Sequence, residues 1–228
     1  MGEAAAALLS LPGFPGTRLR WTALPQPAHA AALHPLEQAL VVDVAPRRRA
    51  HFAAGRACAH AALAALGYPV EALLRNADGA PLWPAGVVGS ISHCPEAAVA
   101  VVADRRDWAA LGVDVETDRA LADDAAAYVL AEPERARFAT LPGGLAQWAL
   151  PAFAAKECVH KCVHPLSGVY LAFDEVAIHF EPGPAMPAPA GFTVEALSDK
   201  ARAALAGRDW RGQWRRQDGL LFSLLAGR

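Results

Sequence analysis

Gly112-Val113-Asp114-Val115-Glu116 alternates apolar and acidic residues. Successive side chains of a strand point to opposite faces, so Val113 and Val115 face a core while Asp114 and Glu116 share the other side. Working outward, two more short strands are expected at 87–91 and 97–102, flanking Ser92-His93-Cys94-Pro95. Upstream, Pro46 to Leu66 carries a helical stripe of Phe52, Cys58, Ala59, Leu63 and Leu66, and Gly67 is placed to stop it. The stretch 76–84, NADGAPLWP, is loop and turn. Downstream, 123–138 reads as helix with Pro133 opening a second segment, and 145–163 as another, with Pro151 as a point of break or restart. Strands are expected at 169–173, 176–180 and 219–225, with a Pro/Ala surface loop at 183–191. Two clusters of short strands, each with helices, predict an α+β fold in two halves.

Composition narrows the class. In 228 residues, 54% are hydrophobic and 19% charged, enough for a sizeable core and against wholesale disorder. A net charge of −2 argues against a general nucleic-acid binder, which shows a basic excess, but leaves room for a local basic pocket. Cys58, Cys94, Cys158 and Cys162 form no CxxC pair, so free thiols in a reducing compartment are expected. No apolar run approaches the roughly 20 residues of a membrane span. The apolar start lacks a basic leader, so the expectation is a cytoplasmic protein with no signal peptide and no membrane partner.

Four local features carry chemistry. Asp114 and Glu116, a strand repeat apart, can share one hard cation such as Mg²⁺, which takes oxygen ligands and keeps waters and substrate phosphates; two solvent-facing acids would look the same. In Phe153-Ala154-Ala155-Lys156-Glu157-Cys158-Val159-His160-Lys161, Glu157 and Lys161 share a helix face as an ordinary i,i+4 ion pair or as a third metal ligand beside a phosphate-neutralising cation. Gly89-Ser90-Ile91-Ser92-His93-Cys94 can meet phosphate through hydroxyl, backbone N–H and imidazole; no G-x-S-x-G elbow surrounds these serines. Pro46-Arg47-Arg48-Arg49 with Arg56 gives a helix face able to grip phosphate, or merely a solvated basic turn.

Taken in order, these motifs resemble the 4′-phosphopantetheinyl transferase superfamily, above all its siderophore-synthetase (enterobactin synthetase component D-like) type. The likeness rests on Arg48-Arg49-Ala50-His51-Phe52-Ala53-Ala54-Gly55-Arg56, on 81–93 (PLWPAGVVGSISH), on GVDVE and on FAAKECVHK. It covers about 33–169.

The resemblance implies two similar α+β halves, 1–112 and 113–228, with the active site in the cleft between them. It implies a monomeric enzyme that moves the phosphopantetheine arm of coenzyme A onto a serine of an apo acyl or peptidyl carrier protein, releasing adenosine 3′,5′-bisphosphate. Mg²⁺, with Mn²⁺ as the alternative, would sit on Asp114, Glu116 and Glu157 together with the diphosphate. Arg56 and His93 would grip the 3′-phosphate, with Arg48, Arg75 and Ser92 nearby, and Lys156 and Lys161 would reach the diphosphate. Glu157 is the candidate base, directly or through a water, and Lys161 would stabilise or protonate the leaving phosphate. The segment 118–144 is the carrier dock by analogy.

Three rivals remain at this stage. A zinc site on Cys158, His160, Cys162 and His164 is disfavoured, because the cysteine and histidine pairs lie about 160° apart on a helix. A metal-dependent hydrolase of coenzyme A-like diphosphates would use the same acids but no carrier. A non-catalytic binding module would be free to lose Asp114, Glu116 and Glu157.

Overall fold

The computed structural model describes residues 7–8, 13–24, 27–69, 71–181 and 190–228. Nine strands and seven helices are named here in chain order: β1 Ala7–Leu8, β2 Arg18–Ala23, α1 Pro27–Ala31, α2 Pro35–Ala39, α3 Pro46–Leu66, β3 Val87–His93, β4 Ala97–Asp104 and β5 Ala110–Thr117. Then come α4 Asp123–Val129, α5 Glu132–Thr140, α6 Gly144–Ser167, β6 Val176–Phe180, β7 Ala190–Ala196, α7 Asp199–Leu205, β8 Trp210–Gln217 and β9 Leu220–Gly227. They build two antiparallel sheets, ordered β1-β2-β4-β3 and β5-β9-β8-β7-β6.

The sheets pack face to face, and a long helix covers the outer face of each. In β4 the odd positions Val99, Val101 and Ala103 enter the inter-sheet core, where they meet Val113 and Val115 of β5 and Phe222 and Leu224 of β9. The even positions Ala98 and Ala100 pack against Ala54, Cys58 and Ala59 of α3. On the far side, Leu221 and Leu225 of β9 pack against Ala155, Cys158, Val159 and Cys162 of α6. Burial on both faces explains why β4 is a continuous apolar run. Each half is thus an antiparallel sheet with one long helix on its outer face.

Local chemistry sets the helix ends and the closest approach. The helix α3 starts with Pro46 in its first turn and ends at Gly67, whose φ of 91° only glycine adopts without strain. The helix α6 runs unbroken through Pro151. The Gln147 carbonyl, which Pro151 cannot bond, instead accepts from Arg216 Nη2 of β8 at 3.1 Å. Gly112 lets α6 lie directly on β5: a Cβ there would stand 2.1 Å from the Cys158 carbonyl oxygen.

Some expectations change. The segment 169–173 is not a strand; Gly168 caps α6 in the left-handed region and the chain reaches β6 through a 3-10 turn, Phe173–Glu175, and among the described residues no strand pairs with it. The expected loop 183–191 lies outside the described residues as far as 189, and Ala190 and Gly191 already belong to β7. A division at 112/113 falls inside β5, which lies whole in the second sheet; the change of sheet comes between Asp104 and Ala110.

Candidate active site

The two sheets meet at a seam. β3 ends one sheet and β5 ends the other, and serines bridge them where a backbone ladder does not. The Val113 N–H donates to Ser90 Oγ at 3.1 Å, and Ser92 Oγ donates to Asp114 Oδ1 at 2.7 Å. From α6, Lys161 Nζ closes the seam by donating to Asp114 Oδ1 at 2.6 Å, Ser92 Oγ at 2.9 Å and the Val113 carbonyl at 3.0 Å. Gly112 makes this possible, since it sets α6 close enough for Lys161 to reach across β5.

Around that seam the structure brings Ser92, Asp114, Glu116, Glu157 and Lys161 into one electrostatic cluster. Burial, and then the nearby Asp114 charge, push the Glu116 carboxyl up to about 7. Burial likewise raises Glu157, with Lys161 opposing and Asp114 adding. For Lys161, burial disfavours the charge, but Asp114 and its hydrogen bond outweigh it and the pKa is raised. Asp114 is buried, and its Oδ2 has no hydrogen-bond partner. Among the described residues no three or more His, Cys, Asp or Glu side chains form a ready-made metal cage. The set still suits Mg²⁺, because the donors are carboxylate oxygens, one of them is unpartnered, and their mutual repulsion is what a cation relieves.

A second group lies on α3. Arg56 is buried, with its guanidinium 4.6 Å from the Phe52 ring centroid, and Arg75 stands 4.9 Å from the same centroid. Arg75 also donates to the Leu40 carbonyl at 3.1 Å. Arg56 is steered by fully buried Glu37 of α2, whose Oε1 lies 3.7 Å from Arg56 Nε and 2.9 Å from His60 Nε2. Burial and the Arg75 charge lower Arg56 to about 10. Arg48 is exposed on the first turn of α3. His93, at the end of β3, has its ring 4.8 Å from that of His51.

Lys156 goes elsewhere, and the expectation that it reaches a diphosphate is corrected. Its ammonium is fully buried on Glu134 of α5 and donates to the Val129 carbonyl at 2.9 Å and the Phe173 carbonyl at 2.7 Å. Glu134 also accepts from the N–H groups of Ala131 and Ile178, both at 2.8 Å. All three ammonium protons are used, tying α6 to α4, α5 and the 3-10 turn, and Glu134 extends the tie to β6. The cysteines of the CVHKCVH run lie in the α6 core, whereas His160 and His164 group with Tyr170 on another face.

Two clefts adjoin the cluster. One, of about 360 Å³, runs along the seam between the 78–81 loop, β3, and Lys161 and His164 of α6. The other, about 150 Å³, opens beside Glu157 between Tyr128, His160 and Tyr170. Sequence reasoning did not single out Ser90, Glu37 or His51. For Ser90 a signal existed, since it shares a strand face with Ser92.

Comparison with known proteins agrees with this architecture. Residues 36–103 match the 4′-phosphopantetheinyl transferase N-terminal domain, and residues 110–216 match the 4′-phosphopantetheinyl transferase superfamily. The 4′-phosphopantetheinyl transferase Svp of Streptomyces mobaraensis is 37% identical over 199 residues, 85% of this chain and 78% of its own length. The 4′-phosphopantetheinyl transferase PptT of Mycobacterium tuberculosis is 35% identical over 148 residues, 64% of this chain and 65% of its own. Enterobactin synthase component D of Salmonella typhi is 38% identical over 120 residues, covering 50% of this chain and 48% of its own.

Proposed function

The chain belongs to the 4′-phosphopantetheinyl transferase superfamily, and from that premise we propose that it transfers the phosphopantetheine arm of coenzyme A to a serine hydroxyl of an apo acyl or peptidyl carrier protein. The observation that carries the reading is the seam itself: a lysine, a serine and three acids from both halves converge beside two clefts.

In this reading Asp114, Glu116 and Glu157 hold Mg²⁺, or Mn²⁺ in its place, which when bound supplies positive charge to the diphosphate oxygens. Arg56 and Arg75, converging on Phe52, and His93 take the 3′-phosphate, with Arg48 at the rim. Glu157 receives the proton of the attacking carrier serine. The attack on the β-phosphoryl group breaks its bond to adenosine 3′,5′-bisphosphate. Lys161 keeps its proton, given its raised pKa, and stabilises the leaving phosphate as a fixed charge. Ser92 orients Asp114 and Lys161 relative to each other.

The described residues contain no helix long and apolar enough to cross a membrane. Their four cysteines are free and buried, which fits a reducing, cytoplasmic setting, and a monomer suffices because both halves of the site lie on one chain. The test is intact-mass spectrometry of an apo carrier protein incubated with this protein, coenzyme A and Mg²⁺. A gain of one phosphopantetheine, lost on chelation and lost in Asp114→Ala, is expected. Metal-dependent breakdown of coenzyme A without carrier modification would replace this reading with hydrolysis.

A further inference from the structure

His51 and His93 come from different parts of the chain, α3 and the end of β3, and meet with ring centroids 4.8 Å apart at 58°. The reaction as described gives His51 no task. Charged groups from four elements bear on the pair. Arg47, on the same helix as His51, and Lys161, from α6, oppose protonation; Glu96, from the β3–β4 turn, favours it at His51, and Asp114, from β5, at His93. Burial, and then for His93 the partner imidazole, lower both pKa values. Two imidazoles in contact beside two cations are a poor place for additional protons until a dianion arrives. They are then a good one, since a dianion favours the charged form of both rings and each ring offers N–H donors.

We propose that His51 and His93 together bind one phosphomonoester dianion, and that His51 is a specificity-determining residue for coenzyme A bearing its 3′-phosphate. This deepens, and rests on, the assignment of His93 to that phosphate. A phosphomonoester is the fitting class because its second pKa lies near 6, so it carries up to two charges at neutral pH, whereas a diester carries one. Because binding takes up protons, affinity for the 3′-phosphorylated ligand falls as pH rises through the pair's titration range.

The experiment is calorimetric titration of the full chain, in Mg²⁺, with coenzyme A and with dephospho-coenzyme A, for wild type, His51→Gln and His51→Ala. The affinity ratio between the two ligands is expected to fall about tenfold in both variants, the scale of one charge-assisted hydrogen bond. Between about pH 6.5 and pH 8 the wild-type ratio is expected to decline more steeply than that of His51→Gln. An unchanged ratio in both variants overturns the proposal. So does an equal loss for both ligands, because that marks damage to the site as a whole. Carrier modification by the wild type is scored separately: its absence sinks the transferase reading, whereas intact transfer with an unchanged ratio sinks only the role of His51.

Discussion

Glu116 sits in an environment at odds with its charge. Its pKa is raised from 4.5 to about 7, by burial first and by Asp114 next. The folded chain therefore holds a proton that the unfolded chain has released, and folding takes up protons across that window. Stability of the metal-free protein is expected to fall as pH rises from 4.5 to 7 and to level off above, by roughly 2 kcal/mol once the full linkage value of about 3 kcal/mol is discounted for the group's partial exposure to solvent. Glu157, shifted the same way, adds to the slope. Glu116→Gln should flatten most of it, and Mg²⁺ should raise the melting temperature of wild type far more than that of the variant. Urea unfolding across pH, with and without Mg²⁺, measures both; an equal slope in wild type and variant would remove Glu116 as its source. Lys156 shows what the same scale hides from sequence. The 100° helical step already turns it away from Glu157 and Lys161, yet its partner Glu134, on another helix, becomes visible only once α5 is folded against α6.

Among the elements, the contact between α6 and β5 decides whether a site exists. Gly112 is the point of closest approach, and the atom a Cβ would meet is backbone, which cannot rotate aside. Gly112→Ala is expected to push α6 off the sheet, costing about 1–3 kcal/mol by overpacking. It should also lower carrier modification by at least tenfold, because Lys161 and Glu157 ride on α6 while Asp114 and Glu116 stay on β5. Melting and intact-mass rate measured together test this; full activity with a lowered melting temperature would uncouple the contact from the site. Much at this scale was legible in the sequence. The stripe and terminal glycine marked α3, and alternation marked β5 with its two acids on one face. Less was legible in β2 and β8, where arginines and aromatics alternate as Arg18-Leu19-Arg20-Trp21 and Trp210-Arg211-Gly212-Gln213-Trp214. That period-two signal was present but masked by charge density. The expected strand at 169–173 had apolar content but no strand pairs with it among the described residues, and pairing is a property of topology that no short window carries.

For the whole molecule, the two halves share one core. Val99 and Val101 of one sheet pack against Val113, Val115, Phe222 and Leu224 of the other. The turn between them buries Trp108, whose Nε1 donates to the Pro15 carbonyl at 2.9 Å, so even the connection is part of the packing. Neither half can unfold without exposing the apolar face of its neighbour and the acids of the seam. Unfolding is therefore expected as a single transition, coincident by tryptophan fluorescence and far-ultraviolet circular dichroism. Ser90→Ala should leave the Val113 N–H without its acceptor and lower stability by about 1–3 kcal/mol, moving the midpoint without splitting the curve. A fragment starting at 110 is expected to lack a cooperative transition, because the inward face of β5 and β9 would lie open to water. Two resolved transitions in the intact chain, or a fragment that melts sharply alone, would make the halves independent units. The site would then depend on their docking, and activity would be lost before either half unfolds.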